Sequence, residues 1–270
     1  MDGAAGGPPG VPAAPSPEIE YRGLVARTWD LLRGDTSAWE DGPFFRRLIE
    51  SSGQPALDVG CGTGRLLLDY LRGGIDIDGV DISGEMLALC REKAETLGLK
   101  PRLYEQAMEG LDLPRRYYTI IVPSSSFQLL LEAAVARDAM RRFFAHLQPG
   151  GLLVMPFIVF GAADEAGTAL TRERKRADGA IVRKHARYRY DPVSQLESTD
   201  EMFEVIVDGV VIESERSVRS PATRGYMVDQ AVDLYQAAGF EVDRIVSGFT
   251  DDPFKPGDEV FTVIGRRPVA

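Results

Sequence analysis

Apolar positions follow two rhythms along this chain. Between Ala56 and Phe160, short apolar runs alternate with amphipathic stretches; beyond Phe160 the apolar spacing shortens to two. In the first part, "ALDVG" predicts a strand, Gly64 to Arg72 a helix and "IDIDGVDI" a second strand. "SGEMLALCREKAETLG" predicts a helix capped by Ser83 and stopped at Gly98. "PRLYEQA", "YYTIIVP" and "LLVMPFIVF" predict three more strands, and "AVARDAMRRFFAHLQPGG" a helix closed by a Pro-Gly turn. Upstream, Ile19, Leu24, Val25, Trp29 and Leu32 fall at helical spacing over Glu18 to Arg33, and "PFFRRLIESS" predicts a second helix. Strands that are apolar throughout, alternating with helices, predict a doubly wound α/β fold with a parallel sheet covered on both faces.

In the second part, "AIVRKHARYRYDP", "QLESTDEMFEVIVDG" and "VVIESERSVRS" alternate at period two between Asp-Pro and Asp-Gly turns. They predict an antiparallel meander of about three strands. "MVDQAVDLYQAAGF" then predicts a helix, and "EVDRIVSG" and "EVFTVIGRRP" two final strands. The expected organisation is a disordered tail over 1–17 and a single domain over 18–270. Within it lie N-terminal helices (18–52), a ligand-binding core (53–160), an antiparallel insertion (about 168–220) and a C-terminal helix with strands (226–268).

Composition narrows the function. A chain of 270 residues with net charge −10 gains no general electrostatic help toward nucleic acid or anionic membrane. It has no apolar run long enough to span a bilayer, and "MDGAAGGPPGVPAAPSP" lacks the basic start and apolar core of a secretory signal. Cys61 and Cys90 are the only cysteines, in no zinc-type spacing, and a reducing, cytoplasmic setting is expected.

The loop after the first strand carries the chemistry. It reads D-x-G-x-G-x-G, with Asp58, Gly60, Gly62 and Gly64. A dinucleotide fingerprint would need a third glycine where Arg65 stands, and no Gly-Lys-Ser/Thr follows for a phosphate loop. Asp58 at the strand end would repel a pyrophosphate and attract an ammonium. Asp81 ends the second strand 17 residues after Gly64, where an acid accepts both ribose hydroxyls. A ligand with adenosine at one end and a cationic amino acid at the other is S-adenosylmethionine.

With "LDVGCGTG", "GVDISGEML", "EQAMEGLDLP", "YYTIIVPSSSFQLL" and "LQPGGLLVM", the chain resembles the Rossmann-like S-adenosylmethionine-dependent methyltransferases of small-molecule type. The resemblance covers Ser51 to Phe157 and returns in "AGFEV" and "VFTVIGRRP". It implies a seven-stranded sheet of order 3-2-1-4-5-7-6 with the last strand antiparallel. It implies that Asp58, Gly60, Cys61, Gly62 and Gly64 line the methionine end, and that Asp81 holds the ribose. Ile82 and Met86 would lie against one side of the adenine, Ala107 and Met108 against the other with Gln106 just before them, and Pro123 and Ser124 beside the donor methyl. The family often has an acid where this chain has Ala107.

The acceptor side is less defined. Tyr21, Trp29, Ser125, Phe127, Gln128, Tyr188 and Tyr226 are the substrate-side candidates, although Tyr21 and Trp29 at helical spacing also suit packing. "PSSSFQLLL" offers no ionisable group, and Leu129 stands where some relatives acting on amino-sugars carry a histidine. That favours alignment of an amine, or of an already acidic acceptor, over strong base catalysis. No metal is required. Cys61 reads as a small loop residue, Cys90 as core and His146 as structural. His185 shares a strand face with Arg183, Arg187 and Arg189, which reads as solvated. Arg172 to Arg189 holds eight Lys/Arg, as an exposed charged face or as a site for an anionic group. The expected function is methyl transfer to a nitrogen or oxygen of a small molecule, with S-adenosylhomocysteine as product. The alternatives are a cofactor-binding regulator without turnover, or an enzyme acting on a protein or tRNA. The edge at Val210 to Val218 is a candidate homodimer surface.

Overall fold

A computed structural model describes residues 21–161 and 167–269. The expected tail, and residues 18–20 of the first expected helix, lie outside the described residues. Two helices, α1 (Gly23–Arg33) and α2 (Asp41–Ser52), precede the alternating core. The core runs β1 (Ala56–Val59), α3 (Arg65–Arg72), β2 (Ile77–Asp81), α4 (Gly84–Thr96), β3 (Arg102–Glu105), β4 (Tyr117–Ile121), α5 (Ala133–His146) and β5 (Leu147–Ile158). The meander comprises β6 (Thr168–Lys175), β7 (Ile181–Asp191), β8 (Leu196–Val207) and β9 (Val210–Arg224). The chain then returns through α6 (Val228–Ala237), β10 (Glu241–Ser247) and β11 (Val260–Arg266).

The large sheet has the order β3-β2-β1-β4-β5-β11-β10. Its first five strands are parallel, and β11 runs antiparallel to both β5 and β10. Counted without the meander, this is the expected 3-2-1-4-5-7-6. Its central strands β1, β2 and β4 are largely buried because both faces are covered. Leu57, Val59, Ile120, Leu153 and Met155 pack on one face with Phe143 and Tyr235. Ala56, Ile121 and Val154 pack on the other with Phe44, Phe45 and Leu67. Burial of such side chains supplies about 1.5–3 kcal/mol each.

Local signals set the element ends. Ser83 caps α4 by accepting from the Met86 amide at 3.1 Å. One expectation fails at α5. The helix ends at His146 and the chain enters β5 directly, so Pro149 and Gly150 lie in the strand rather than in a closing turn. The extra residues are absorbed by an irregular register, in which Tyr117 faces Leu147 but Thr119 faces Leu152.

The meander forms its own sheet, β6-β7-β8-β9, with four strands rather than three. The strand missed from sequence is β6: all eight of its residues are exposed, so it has no apolar alternation to read. On the other strands, Val182, Phe203 and Val205 pack against Leu24, Val25 and Leu32 of α1. This places α1 between the meander and α4. His185, Arg187 and Arg189 are exposed on the far face of β7.

Candidate functional site

The carboxyl ends of β1, β2 and β4 open into a cleft of about 490 Å³, roofed by Tyr188, Glu197 and Thr223 of the meander. That is where an open parallel sheet places its ligands, next to the strand whose neighbours lead off in opposite directions. At the floor stands Asp58, 2% exposed. Its Oδ1 is buried without a hydrogen-bond partner. Burial pushes the carboxyl up to about 7; Arg65 opposes the shift, while Asp81 and Asp41 add to it. The Arg65 guanidinium is turned to Asp41, which it grips through both nitrogens, NH1 donating to Oδ1 at 3.0 Å.

Gly60, Cys61 and Gly62 line the cleft; Gly64 does not. At Gly62, with φ +54°, a Cβ would stand 3.3 Å from the Met86 methyl, on the side of the cleft that Met86 also lines. At Gly64, with φ +83°, a Cβ would stand 2.5 Å from the Cys90 sulfur and 2.9 Å from Leu68. Gly64 is the N-cap of α3, and its lack of a side chain lets α3 approach α4. The Cys61 thiol is pushed up by burial and by Asp58 and Asp81, the opposite of an activated nucleophile. Cys90 is fully buried, and burial raises its thiol to about 11.

Asp81 closes β2. Its Oδ2 accepts from the Gly62 amide at 2.8 Å and its Oδ1 from the Ser83 amide at 2.9 Å. These two contacts fix the carboxylate between the glycine loop and the cap of α4. Ile82, Met86, Gln106, Ala107 and Met108 line the same end of the cleft, and Glu109 joins them. The Gln106 side chain is occupied within its own loop: its Oε1 accepts from the Asp112 amide at 2.9 Å and its Nε2 donates to the Asp112 carbonyl at 3.3 Å.

After β4, Ser124 and Ser125 both take positive φ, +54° and +58°. Two consecutive non-glycine residues in the left-handed region mark strain concentrated at this edge. Pro123, Ser124 and Ser125 line the cleft, as do Tyr21, Trp29 and Tyr188. The other three substrate-side candidates do not. Phe127 is fully buried among Phe143, Phe157 and Tyr226. Tyr226 packs on the same cluster. Gln128 is fully buried and spends its amide as a clamp: Oε1 accepts from the Ile158 amide at 2.7 Å, and Nε2 donates to the Ile158 carbonyl at 3.2 Å and the Arg224 carbonyl at 3.0 Å. It joins the end of β5 to the end of β9 and so fixes the roof to the floor.

Arg33, Thr63 and Glu197 are among the lining groups that lie outside the expectation from sequence. Arg33 lies over the Trp29 ring at 5.0 Å and the Trp39 ring at 5.2 Å, and donates to Ser124 Oγ at 3.0 Å. Thr63 donates to Asp30 of α1 at 2.6 Å, tying the glycine loop to that helix. Glu197 lines the roof, and burial pushes its carboxyl above the ordinary value. The signal for Glu197 was strand parity: it shares the β8 face of Phe203 and Val205. His146 holds a structural post, Nδ1 donating to the Arg142 carbonyl at 2.8 Å and Nε2 accepting from the Leu113 amide at 3.0 Å. Burial lowers its pKa, in keeping with a neutral ring.

Residues 56–151 match the family of methyltransferase domains. A methyltransferase-named protein of Geobacillus sp. is 26% identical over 235 residues, 84% of this chain and 91% of that protein. The dTDP-3-amino-3,6-dideoxy-alpha-D-glucopyranose N,N-dimethyltransferase of Streptomyces fradiae is 26% identical over 193 residues, 65% of this chain and 74% of that protein. Among solved structures, the sugar N-methyltransferase KedS8 from Streptoalloteichus sp. superposes with a TM-score of 0.71 at 19% identity, covering 99% of both chains.

Proposed function

We propose that this S-adenosylmethionine-dependent methyltransferase acts on a small molecule and that the methyl acceptor is an amine nitrogen. The observation that carries this reading is the pairing of an orphaned buried carboxylate at the floor with a roof carboxylate, and no activated nucleophile between them. Asp58 Oδ1 has no partner within the protein, which suits the ammonium of the cofactor's amino acid. Gly60, Cys61 and Gly62 would let that end approach the backbone, and Asp81 would meet the ribose. Ile82, Met86, Ala107 and Met108 would enclose the adenine, with Pro123 and Ser124 beside the reacting carbon. When bound, S-adenosylmethionine supplies a methyl group already activated on a sulfonium.

The chain's own residues then have two tasks. Tyr21, Trp29 and Tyr188 exclude water and hold the acceptor in line, where correct orientation accounts for much of the rate. Ser125 lies at the strained edge beside them. An amine reaches the site largely as its ammonium, and Glu197 on the roof attracts it and takes its proton. A hydroxyl acceptor would need a stronger base than the serine segment offers. The Streptomyces fradiae and Streptoalloteichus relatives, both N-methyltransferases by name, support the reading.

The test incubates purified protein with S-adenosylmethionine and matched panels of amino-sugars, small amines, phenols and alcohols, and measures S-adenosylhomocysteine release. Turnover with amines and a 10- to 100-fold loss of kcat/KM in Glu197→Gln are expected. Turnover restricted to hydroxyl acceptors would sink the amine assignment.

A further inference from the structure

A second chamber of about 370 Å³ continues from the cleft beneath the meander and shares Tyr21, Trp29, Arg33, Tyr188 and Glu197 with it. Its far wall is the inner face of the meander, where polar groups have replaced the apolar ones. Arg172 and Lys184 are cross-strand neighbours on β6 and β7, and Thr199 and Arg219 are neighbours on β8 and β9.

Two atoms in this wall lack partners. Thr199, 5% exposed, has a buried hydroxyl with no hydrogen bond, and Arg219 has a buried Nε with none. Burying a donor without a partner is costly, so such a pair side by side on a cavity wall is informative. Arg219 is held in place by its approach to the Tyr21 ring, 5.1 Å away, and by a weak contact of 3.8 Å with Glu201. Glu201 is engaged by Lys184 at 2.6 Å and by the Tyr188 hydroxyl at 3.3 Å. Around the chamber, four cationic side chains (Arg33, Arg172, Lys184, Arg219) face two carboxylates (Glu197, Glu201). The wall therefore carries a surplus of two positive charges and idle donors. On the outer face, Arg216 pairs with Asp200 at 2.7 Å and Arg183 with Glu173.

We propose that this chamber binds a phosphate-type group at the far end of the acceptor, with Arg219 Nε and Thr199 Oγ1 donating to it and Lys184 and Arg172 supplying charge. A single carboxylate would leave part of the surplus unmatched; a phosphate or diphosphate offers several acceptor oxygens and two negative charges. The anion would fix the acceptor by its distal end and leave the amine in the cleft near Glu197. The proposal rests on the amine-methylating reading of that cleft.

The test is calorimetric titration of inorganic pyrophosphate into the S-adenosylhomocysteine-loaded protein, with acetate as the carboxylate comparison. One saturable pyrophosphate site is expected, with acetate binding at least 10-fold weaker. Arg219→Gln should weaken pyrophosphate at least 10-fold and Thr199→Val a few-fold, while Arg216→Gln on the outer face leaves it unchanged. S-adenosylhomocysteine affinity, measured on each variant, reports an intact fold; if Arg219→Gln loses it, Thr199→Val and Lys184→Met carry the comparison. Absence of pyrophosphate binding, or equal loss in the Arg219 and Arg216 variants, overturns the proposal. Acetate binding as tightly as pyrophosphate overturns the phosphate assignment. Pyrophosphate binding without turnover of any amine would refute the amine reading alone.

Discussion

Asp58 gives the cofactor site a pH dependence that can be worked out in advance. In the free protein its carboxyl sits near 7 because it is buried with an unpartnered oxygen. An ammonium in contact with it favours the carboxylate, so binding below pH 7 must release a proton. Near pH 6 about one-tenth of the groups are ionised, and S-adenosylhomocysteine should bind about 10-fold more weakly than at pH 8, roughly 1.4 kcal/mol. Near pH 5 the deficit approaches about 100-fold. The same raised carboxyl makes the ligand-free fold progressively less stable as pH rises through 7, so stabilisation by ligand should grow over that window. Calorimetry from pH 5 to pH 8, repeated in buffers of different ionisation enthalpy, reads both the affinity and the proton count. Asp58→Asn keeps the shape and cannot titrate; it should lose the slope and bind about 1.5–3 kcal/mol more weakly at pH 8. A flat affinity in the wild type, or the same slope in the Asn variant, would refute the reasoning.

Three further expectations concern residues whose roles the structure separates. Asp81→Ala should weaken S-adenosylhomocysteine by about 1–3 kcal/mol, through lost ribose contacts and a freed Gly62 amide; wild-type affinity would exclude the ribose role. Gly64→Ala should act on stability, lowering it by about 1–3 kcal/mol in urea unfolding, because its Cβ meets Cys90 and Leu68; an unchanged unfolding midpoint would contradict the packing assignment. Gln128→Leu should destabilise by about 1–3 kcal/mol by stranding the Ile158 and Arg224 carbonyls. Faster hydrogen exchange at the ends of β5 and β9 should accompany it, and unchanged protection there would argue against the clamp.

The core was legible because its strands and helices obey their own periods. β1, β4 and β5 are apolar on both faces, and Asp58 and Asp81 fall at strand ends where position alone implies a ligand. Other features needed coordinates. β6 is exposed along its whole length, so no contrast betrays it. Spacing in the glycine loop cannot say which side of the turn each Cα faces, and Gly64 turned out to face α4. The segment after β4 reads as a substrate loop, yet its short turn carries Phe127 and Gln128 inward and leaves Pro123, the serines, Leu129 and Leu130 at the cleft. Glu197, Thr199 and Arg219 look like solvent-facing polar positions until the alternation is phased from Phe203 and Val205. Followed back along β8 from those two, the parity puts Glu197, Thr199 and Glu201 on the inner face.

Helix α1 touches both halves of the site. Asp30 accepts from Thr63 of the glycine loop and from Lys93 of α4, while the Leu24 amide donates to Glu215 and Arg27 pairs with Glu213 on β9. The floor of the cleft comes from the ends of β1, β2 and β4, its roof from β7, β8 and β9, and α1 itself contributes Trp29 and Arg33 to the wall. Substitutions at the roof positions Tyr188, Glu197 and Thr223 reshape the cleft from the meander side, whereas Val182, Phe203 and Val205 on the same face carry α1 and through it the glycine loop. An engineer therefore has a small set of roof positions to randomise, Tyr188, Glu197 and Thr223, with α1 and the apolar residues beneath the meander left untouched as the common wall.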